Sequence, residues 1–184
     1  NTIVSEIGTT SFDYVYSTGD HTTTITQTLP DGNSATSITD ATGKLIKAID
    51  NGGTLDYTYY SSGLQKDIKL NTVLAASMEY DDYGKQTKLI DPNAGTTEYI
   101  YDAIGQLTYQ KDAKNNEYTM TYDALGRLAT KTENGTSFGF TYYTNGNGIN
   151  QPENITYNGI TQHFTYDYLG RLTETKETFE GEEY

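Results

Sequence analysis

The chain has 184 residues, including 18 Tyr and no Cys, and a formal net charge of −13. This charge disfavours a nucleic-acid partner, and the lack of Cys excludes a disulfide framework, a thiol nucleophile and a Cys-ligated metal. No stretch approaches the 18 apolar residues of a transmembrane helix, so we expect no membrane insertion. Tyr and Thr are both abundant strand formers, and they predict an all-β protein with a core built from Tyr.

A repeat of about 21 residues runs along the chain from the first hairpin onwards. Each unit contains a polar turn that closes on Gly, and successive glycines are 20 to 24 residues apart. The aligned glycines are Gly19, Gly43, Gly63, Gly84, Gly105, Gly126, Gly146 and Gly170. We therefore expect a single repeat array over residues 1–184, in which the Gly19 unit is the weakest.

The units differ in how completely they keep the pattern Tyr-Asp-x-x-Gly. Degenerate units occupy residues 1–72, the clearest units residues 73–132, and a degenerate then a clear unit residues 133–176, before an acidic tail at 177–184. We expect the acidic end, Glu174 to Glu183, to be solvated and frayed. The residues predicted to form structural repeat turns are Tyr80, Asp81, Gly84, Tyr101, Asp102, Gly105, Tyr122, Asp123, Gly126, Arg127, Tyr166, Asp167, Gly170 and Arg171.

Each unit predicts an antiparallel β-hairpin. Asp at the first position of a type I turn accepts hydrogen bonds from backbone N–H groups two or three residues on, and Gly at the fourth position adopts a positive φ. A cation often follows the Gly, as at Arg127 and Arg171, within reach of a modest surface ion pair with the Asp. Further turn signals, such as Asn134-Gly135, lie midway between these turns. The sequence thus predicts about sixteen short strands in a curved or spiralling meander sheet.

Large residues alternate with small polar ones on the strands that lead into the turns, as in Met120-x-Tyr122. A period of two predicts that one face of the sheet is buried. The Tyr rows fit two interpretations: packing as core, which we favour, or exposure as rings that stack on sugars. The run from Leu70 to Tyr80 is ambiguous between helix and strand, and the repeat phase predicts that its second half is a strand.

The run Tyr-Asp-x-x-Gly-Arg-Leu is present in full at 122–128 and 166–172, and at 101–107 with Gln106 in place of Arg. It closely resembles the YD repeat, also called the Rhs repeat, of bacterial polymorphic toxins, Tc toxin subunits and teneurins. The resemblance implies a β-sheet strip that spirals into a hollow shell, which in the toxins encloses a C-terminal toxic domain. It also implies a secreted or cell-surface bacterial protein.

From this resemblance we expect a structural, non-enzymatic wall segment of a longer protein, which encloses or presents a partner or toxin polypeptide. Its partners would be other repeats of the parent chain and an enclosed C-terminal toxin domain. The alternative is an adhesion or carbohydrate-binding module whose Tyr rows contact cell-surface glycans. Because an isolated strip has unpaired outer strands, we also expect self-association through the sheet edges.

Other candidate chemistry has a simpler structural interpretation. The segment Asp91-Pro92-Asn93-Ala94-Gly95 is similar to the self-cleaving motif of the family, but no Leu follows and the segment lies in mid-array, so we interpret it as a turn. His21 and His163 lack the partner spacing of a catalytic triad. Each turn has one carboxylate at its key position, which favours turn capping over calcium binding. The sequence therefore predicts no catalytic residue, metal or cofactor.

Overall fold

The computed structural model describes residues 2–5, 8–179 and 182–183, and these contain β-strands and no helix. They form two compact units, residues 1–96 and residues 97–184. The strands of the first unit are β1 (Thr2–Ser5), β2 (Gly8–Ser17), β3 (Thr22–Thr28), β4 (Ser34–Thr39), β5 (Leu45–Asp50), β6 (Gly53–Tyr59), β7 (Gln65–Leu70), β8 (Val73–Tyr80) and β9 (Gln86–Asp91). Each pairs antiparallel with its neighbours in sequence, which confirms the predicted meander of hairpins.

The second unit repeats this arrangement. Its strands are β10 (Gly95–Tyr101), which begins two residues before the unit boundary, β11 (Leu107–Lys111), β12 (Glu117–Tyr122), β13 (Leu128–Glu133), β14 (Thr136–Tyr142), β15 (Pro152–Tyr157), β16 (Ile160–Tyr166), β17 (Leu172–Phe179) and β18 (Glu182–Glu183). Successive strands from β10 to β18 again pair antiparallel. The described residues thus hold eighteen strands, where the sequence predicted about sixteen.

Alternate connections of an antiparallel meander lie at opposite ends of the strands. In each unit, the turns of the Tyr-Asp-x-x-Gly pattern and its degenerate forms therefore share one end, which we call the Tyr-Asp end. The turns between them, such as Asn134-Gly135 and Asn158-Gly159, share the opposite end. Both residues of these two short turns have a positive φ, which gives the twist that suits a two-residue hairpin.

Seven of the Tyr-Asp-end hairpins carry a β-bulge just before the turn. In the hairpin of β12 and β13, for example, Thr121 pairs with Thr130 but Tyr122 pairs with Leu128, so one residue is skipped. The same shift occurs at the hairpins closed by Gly43, Gly63, Gly84, Gly105, Gly146 and Gly170. Such bulges bend the strand and increase its twist, and nothing in the sequence had predicted them.

The first hairpin differs from the others. Its register runs without a shift from Ser11–Thr28 to Ser17–Thr22. In its turn the positive φ, 57°, falls on His21 instead of Gly19. Gly19 therefore lacks the positive φ of the other turn glycines with which it was aligned, although the turn itself lies where the sequence predicted it.

The run from Leu70 to Tyr80 is confirmed as strand in its second half, whereas the expected fraying of the acidic end is wrong in part. Leu70 ends β7 and Val73 begins β8, so the ambiguous run is strand throughout except for the turn Asn71-Thr72, which the sequence analysis missed. Residues 174–179 belong to β17 and pair with β16, so the expected fraying of the acidic end is wrong for this part. Residues 180–181 and 184 lie outside the described residues.

One face of the sheet is aromatic, but it does not form a closed core. Along β12 the side chains of Tyr118, Met120 and Tyr122 are half-buried, whereas Thr119 and Thr121 between them are exposed. Among the residues whose burial is described, no hydrophobic side chain is fully buried. The composition predicted a buried core built from Tyr, and this prediction is wrong. The motif Tyr rings form a half-covered face instead.

Candidate functional site

The Asp of each complete motif holds its own turn together. Asp123 Oδ1 accepts hydrogen bonds from the backbone N–H groups of Leu125 and Arg127, each at 2.9 Å. Gly126 N donates to the Asp123 carbonyl at 2.9 Å, and Asp123 N donates to the Arg127 carbonyl at 2.8 Å. The donors to the carboxylate thus lie two and four residues on, which corrects the expected two or three.

The same pattern recurs at the other three complete motifs. Asp81, Asp102 and Asp167 each accept from the N–H groups two and four residues on, at 2.8 to 3.0 Å. The closing glycines Gly84, Gly105, Gly126 and Gly170 have φ between 75° and 85°, a conformation that costs Gly little and other residues more. All four predicted motifs therefore occupy equivalent turns.

An ion pair closes two of these turns, as the sequence predicted. Arg127 Nη2 lies 2.6 Å from Asp123 Oδ2, and Arg171 Nε lies 2.7 Å from Asp167 Oδ2. The hydrogen bond from the Arg127 backbone N–H is the main reason why the pKa of Asp123 lies below its usual range, and the bond from the Arg127 side chain lowers it further. Arg171 lowers the pKa of Asp167 in the same way. Both carboxylates are consequently held in the charged, hydrogen-bond-accepting form.

The motif Tyr of three repeats bonds to the preceding repeat. Tyr122 OH donates to the carbonyl of Leu107 at 2.8 Å, Tyr142 OH to that of Leu128 at 2.9 Å, and Tyr59 OH to that of Leu45 at 2.6 Å. In each case the acceptor is the Leu that follows the preceding turn. This explains why Tyr serves at a position where Phe would fill the same space. The recurrent spacing of 14 or 15 residues from Leu to Tyr was visible in the sequence, but the bond was not.

The first residue after the turn reaches forward to the next repeat: Gln106 follows Gly105, whereas Gln151 follows Asn150. Gln106 Nε2 donates to the Gly126 carbonyl at 3.2 Å, and Gln151 Nε2 donates to the Gly170 carbonyl at 2.8 Å. The Arg127 guanidinium instead lies over the ring of Tyr142, 4.3 Å from its centroid, in a cation–π contact. Sequence reasoning had assigned this position only to the ion pair within its own turn.

Two degenerate turns have Tyr where the complete ones have Asp. Tyr60 keeps the backbone bonds of the turn, and its OH donates to the Met78 carbonyl of β8 at 3.0 Å. Its ring meets that of Tyr80 edge to face, with centroids 6.0 Å apart. Tyr143 likewise donates to the Phe164 carbonyl at 2.9 Å and meets the ring of Tyr166 at 6.0 Å. In both cases the side chain binds the next repeat instead of its own turn.

Asn side chains connect neighbouring repeats at the opposite end. Asn134 Oδ1 accepts from Glu117 N at 3.0 Å, and Asn134 Nδ2 donates to Asn116 Oδ1 at 2.8 Å. In the first unit, Asn71 Oδ1 accepts from Thr54 N at 2.8 Å. From the sequence, Asn134 was interpreted only as a turn former and Asn71 was missed, because a spacing of 17 or 18 residues does not fit one hairpin.

The residues considered for other chemistry take structural positions. Asp91 Oδ1 accepts from Asn93 N at 2.8 Å and Ala94 N at 3.0 Å, which is a capped turn. His163 Nδ1 lies 2.9 Å from Asn154 Oδ1, and His21 Nδ1 lies 3.2 Å from Tyr16 OH. Within the described residues, no group of three or more His, Asp or Glu side chains is placed to hold a metal ion. No helix there is long and apolar enough to span a membrane.

The comparisons with known proteins agree with this geometry. The RHS Repeat family model matches residues 101–137, which include two of the complete turns. The crystal structure of TcdB2-TccC3-TEV has the same fold, with a TM-score of 0.68 over 96% of this chain at 15% sequence identity. Residues 101–137 thus match the YD/Rhs repeat in sequence, and the chain matches the solved structure in fold.

A second solved structure has a similar fold. The crystal structure of TcdB2-TccC3 without its hypervariable C-terminal region matches with a TM-score of 0.67 over 93% of this chain, at 16% identity. This chain covers only 12% and 11% of the two solved chains. A comparison with curated protein sequences gave no match. This chain thus corresponds in fold to a small part of a much longer chain.

Proposed function

We propose that this YD/Rhs-repeat array is a structural wall segment of a secreted or cell-surface bacterial shell, which encloses a partner or toxin polypeptide. The observation that carries the proposal is the set of contacts between repeats, in which Tyr OH groups bond backward to Leu carbonyls and Gln side chains bond forward to Gly carbonyls. Such contacts stabilise a long strip without a buried core. This is what a thin wall requires, because nearest-neighbour interfaces supply the stability of a repeat array.

The wall acts by exclusion. Within each unit every described strand is hydrogen-bonded to its sequence neighbours, so the sheet offers no opening between strands through which a protease loop could enter. The net charge of −13 favours a basic enclosed polypeptide over an acidic one. The segment has no catalytic role in this proposal, because the motif Asp side chains cap turns and Tyr59, Tyr122 and Tyr142 make contacts between repeats.

The alternative, glycan binding by rows of Tyr, is not favoured by the geometry. The OH groups of Tyr59, Tyr122 and Tyr142 already donate to backbone carbonyls, and the Tyr142 ring face carries Arg127. A ring that stacks on a sugar needs a free face and is usually accompanied by unsatisfied polar groups. Tyr142 provides neither, and the hydroxyl groups of Tyr59 and Tyr122 are already bonded.

The test uses the full-length protein that carries this segment, purified from its source and studied by native and denaturing mass spectrometry. We expect a second polypeptide that stays with the shell under native conditions and leaves it only on denaturation. That polypeptide should resist added protease in the native complex and be digested once released. A single uncut chain without an enclosed partner would overturn the enclosure proposal.

A further inference from the structure

The Tyr-Asp end of the second unit is lined with exposed apolar side chains. All four of its connections carry at least one: Ile104 is 79% exposed, Leu125 70%, Ile149 56%, Tyr168 82% and Leu169 61%. We call these five residues the apolar row. The turns at the opposite end of the same unit, residues 112–116, 134–135 and 158–159, carry no large apolar side chain.

The turns themselves do not need these side chains. What each turn uses at Ile104, Leu125 and Leu169 is the backbone N–H, which donates to the motif Asp at 2.9 to 3.0 Å. The equivalent positions of two turns in the first unit hold Thr42 and Ser62. Middle positions of type I turns usually hold small polar residues, so large apolar groups that the turn does not use point to a contact outside the hairpin.

The apolar row is regular. Successive Tyr-Asp-end turns are separated by two strands, so their tips are about 10 Å apart in a sheet with strands spaced about 4.8 Å. A partner whose apolar groups have the same period contacts every tip at once, whereas a partner with another period contacts one or two. A second copy of this chain has turn tips with the same period.

The charge distribution also favours a second copy. The chain is strongly acidic, so most of its surface repels another copy. At the apolar row, however, Asp123 is paired with Arg127 and Asp167 with Arg171. Two of the three motif carboxylates at the row are thus neutralised, while Asp102 has Gln106 in place of Arg, so the repulsion between two copies is reduced there.

We propose that the apolar row is an association surface through which two copies of this chain contact each other, turn tip to turn tip. This differs from association through unpaired edge strands, because the contact lies at the ends of the strands and uses side chains only. The proposal does not depend on whether the shell encloses a partner. Five side chains per copy are far fewer than the roughly 20–30 residues per side of a standard interface, so the association is weak and concentration-dependent.

The main experiment is sedimentation equilibrium of the 184-residue chain over a wide concentration range. We compare the wild type with the triple variant Ile104→Ser, Leu125→Ser, Leu169→Ser, which gives these turns the residue that the Gly63 turn has at the same position. The triple variant keeps every backbone bond of the turns, and far-UV circular dichroism checks that it folds. We expect its dimerisation constant to be at least about tenfold weaker.

The matched control is Val73→Ser, which removes an exposed apolar side chain at the other end of the strands in the first unit. It should dimerise as the wild type does. A wild type that stays monomeric at every concentration would overturn the proposal. Equal association of the wild type and the triple variant would also overturn it and would implicate the edge strands instead.

A second measurement uses the absence of Cys from the chain. Single-cysteine variants Leu125→Cys and Lys114→Cys place one thiol at the apolar row or at the opposite end of the same unit. Under mild oxidation we expect Leu125→Cys to form intermolecular disulfides several-fold faster than Lys114→Cys. Equal rates would contradict a contact at the turn tips, even if the chain dimerises.

Discussion

The complete turn at Asp123 and the degenerate turn at Tyr60 connect the same kind of hairpin, but the two side chains stabilise it in different ways. In the complete turn, the Asp123 carboxylate binds the N–H groups of Leu125 and Arg127 and the Arg127 side chain. In the degenerate turn, the backbone bonds of the turn remain, but the Tyr60 side chain contacts the next repeat through its OH and its ring. One stabilises the turn locally, and the other stabilises the junction between repeats.

This difference shows that a repeat tolerates the loss of its Asp when the side chain at that position contacts the next repeat instead. Tyr143 repeats the substitution seen at Tyr60, with the same forward bond and a similar ring contact. Degenerate units in this array are therefore alternative solutions and need not be weaker ones. The predictions below separate local stabilisation of a turn from stabilisation between repeats.

The largest effect is expected at Gly148, in the loop that follows Tyr143. Its φ is 78°, and an added Cβ would collide with the ring of Tyr166 in the next repeat. Gly148→Ala should lower the free energy of unfolding by about 3 kcal/mol, from backbone strain and displacement of that ring. In the complete turn, Gly126→Ala meets only the flexible Gln106 amide and should cost about 1–2 kcal/mol.

Urea denaturation of both variants measures this difference. Gly135→Ala is the control, because its φ is 88° but an added Cβ there has no neighbour within 4 Å. It reports backbone strain alone. If Gly148→Ala cost no more than Gly135→Ala, the Tyr166 ring would not constrain the loop.

The next effect tests the forward contact of the degenerate turn. Tyr60→Ala removes one hydrogen bond, worth about 1 kcal/mol, and an aromatic pair, worth about 0.5–1.5 kcal/mol. We expect a loss of about 2 kcal/mol in unfolding free energy, measured by urea denaturation. Ser61→Ala at the exposed tip of the same turn should change it by less than about 0.5 kcal/mol. Equal, small effects of both variants would show that the turn backbone alone is sufficient.

A smaller effect isolates the backward bond of the motif Tyr. Tyr122→Phe removes the OH that donates to the Leu107 carbonyl and keeps the ring. The expected loss is about 1 kcal/mol in unfolding free energy. Tyr83→Phe, at a side chain that is 91% exposed, is the matched control and should be neutral. A neutral Tyr122→Phe would show that water replaces the bond without cost.

The smallest effect at neutral pH is expected for Asp123→Asn, because the amide keeps an oxygen that can accept the two backbone N–H groups. The pKa of Asp123 is lowered in the folded chain, so its charged form stabilises the fold above the unfolded pKa of about 3.9, and this contribution is lost as the pH falls through the folded pKa. The difference in unfolding free energy between wild type and variant should therefore be constant above about pH 4 and shrink below it. A difference that does not change between pH 7 and pH 3 would contradict this role.

Much of the local structure was predictable from particular residues. The pattern Tyr-Asp-x-x-Gly predicted the turns at Gly84, Gly105, Gly126 and Gly170, because Asp and Gly act within a few residues of each other. The ion pair between Asp123 and Arg127 was predictable for the same reason. The bond from Tyr122 to Leu107 was not, because its partners belong to different repeats and the bulge at Tyr122 decides how far the OH reaches.

The sequence alone determined the strand class, the period and the position of nearly every turn of this chain, since these follow from short-range preferences of Asp, Gly, Asn and alternating side chains. Only the tertiary structure decided which side chains join one repeat to the next, that the Tyr face stays half-covered, and that five apolar side chains remain exposed along one end of the strands. The physical reason is that exposure and contacts between repeats depend on register, bulges and twist, which arise when neighbouring strands pair and which the short-range preferences of single residues do not specify.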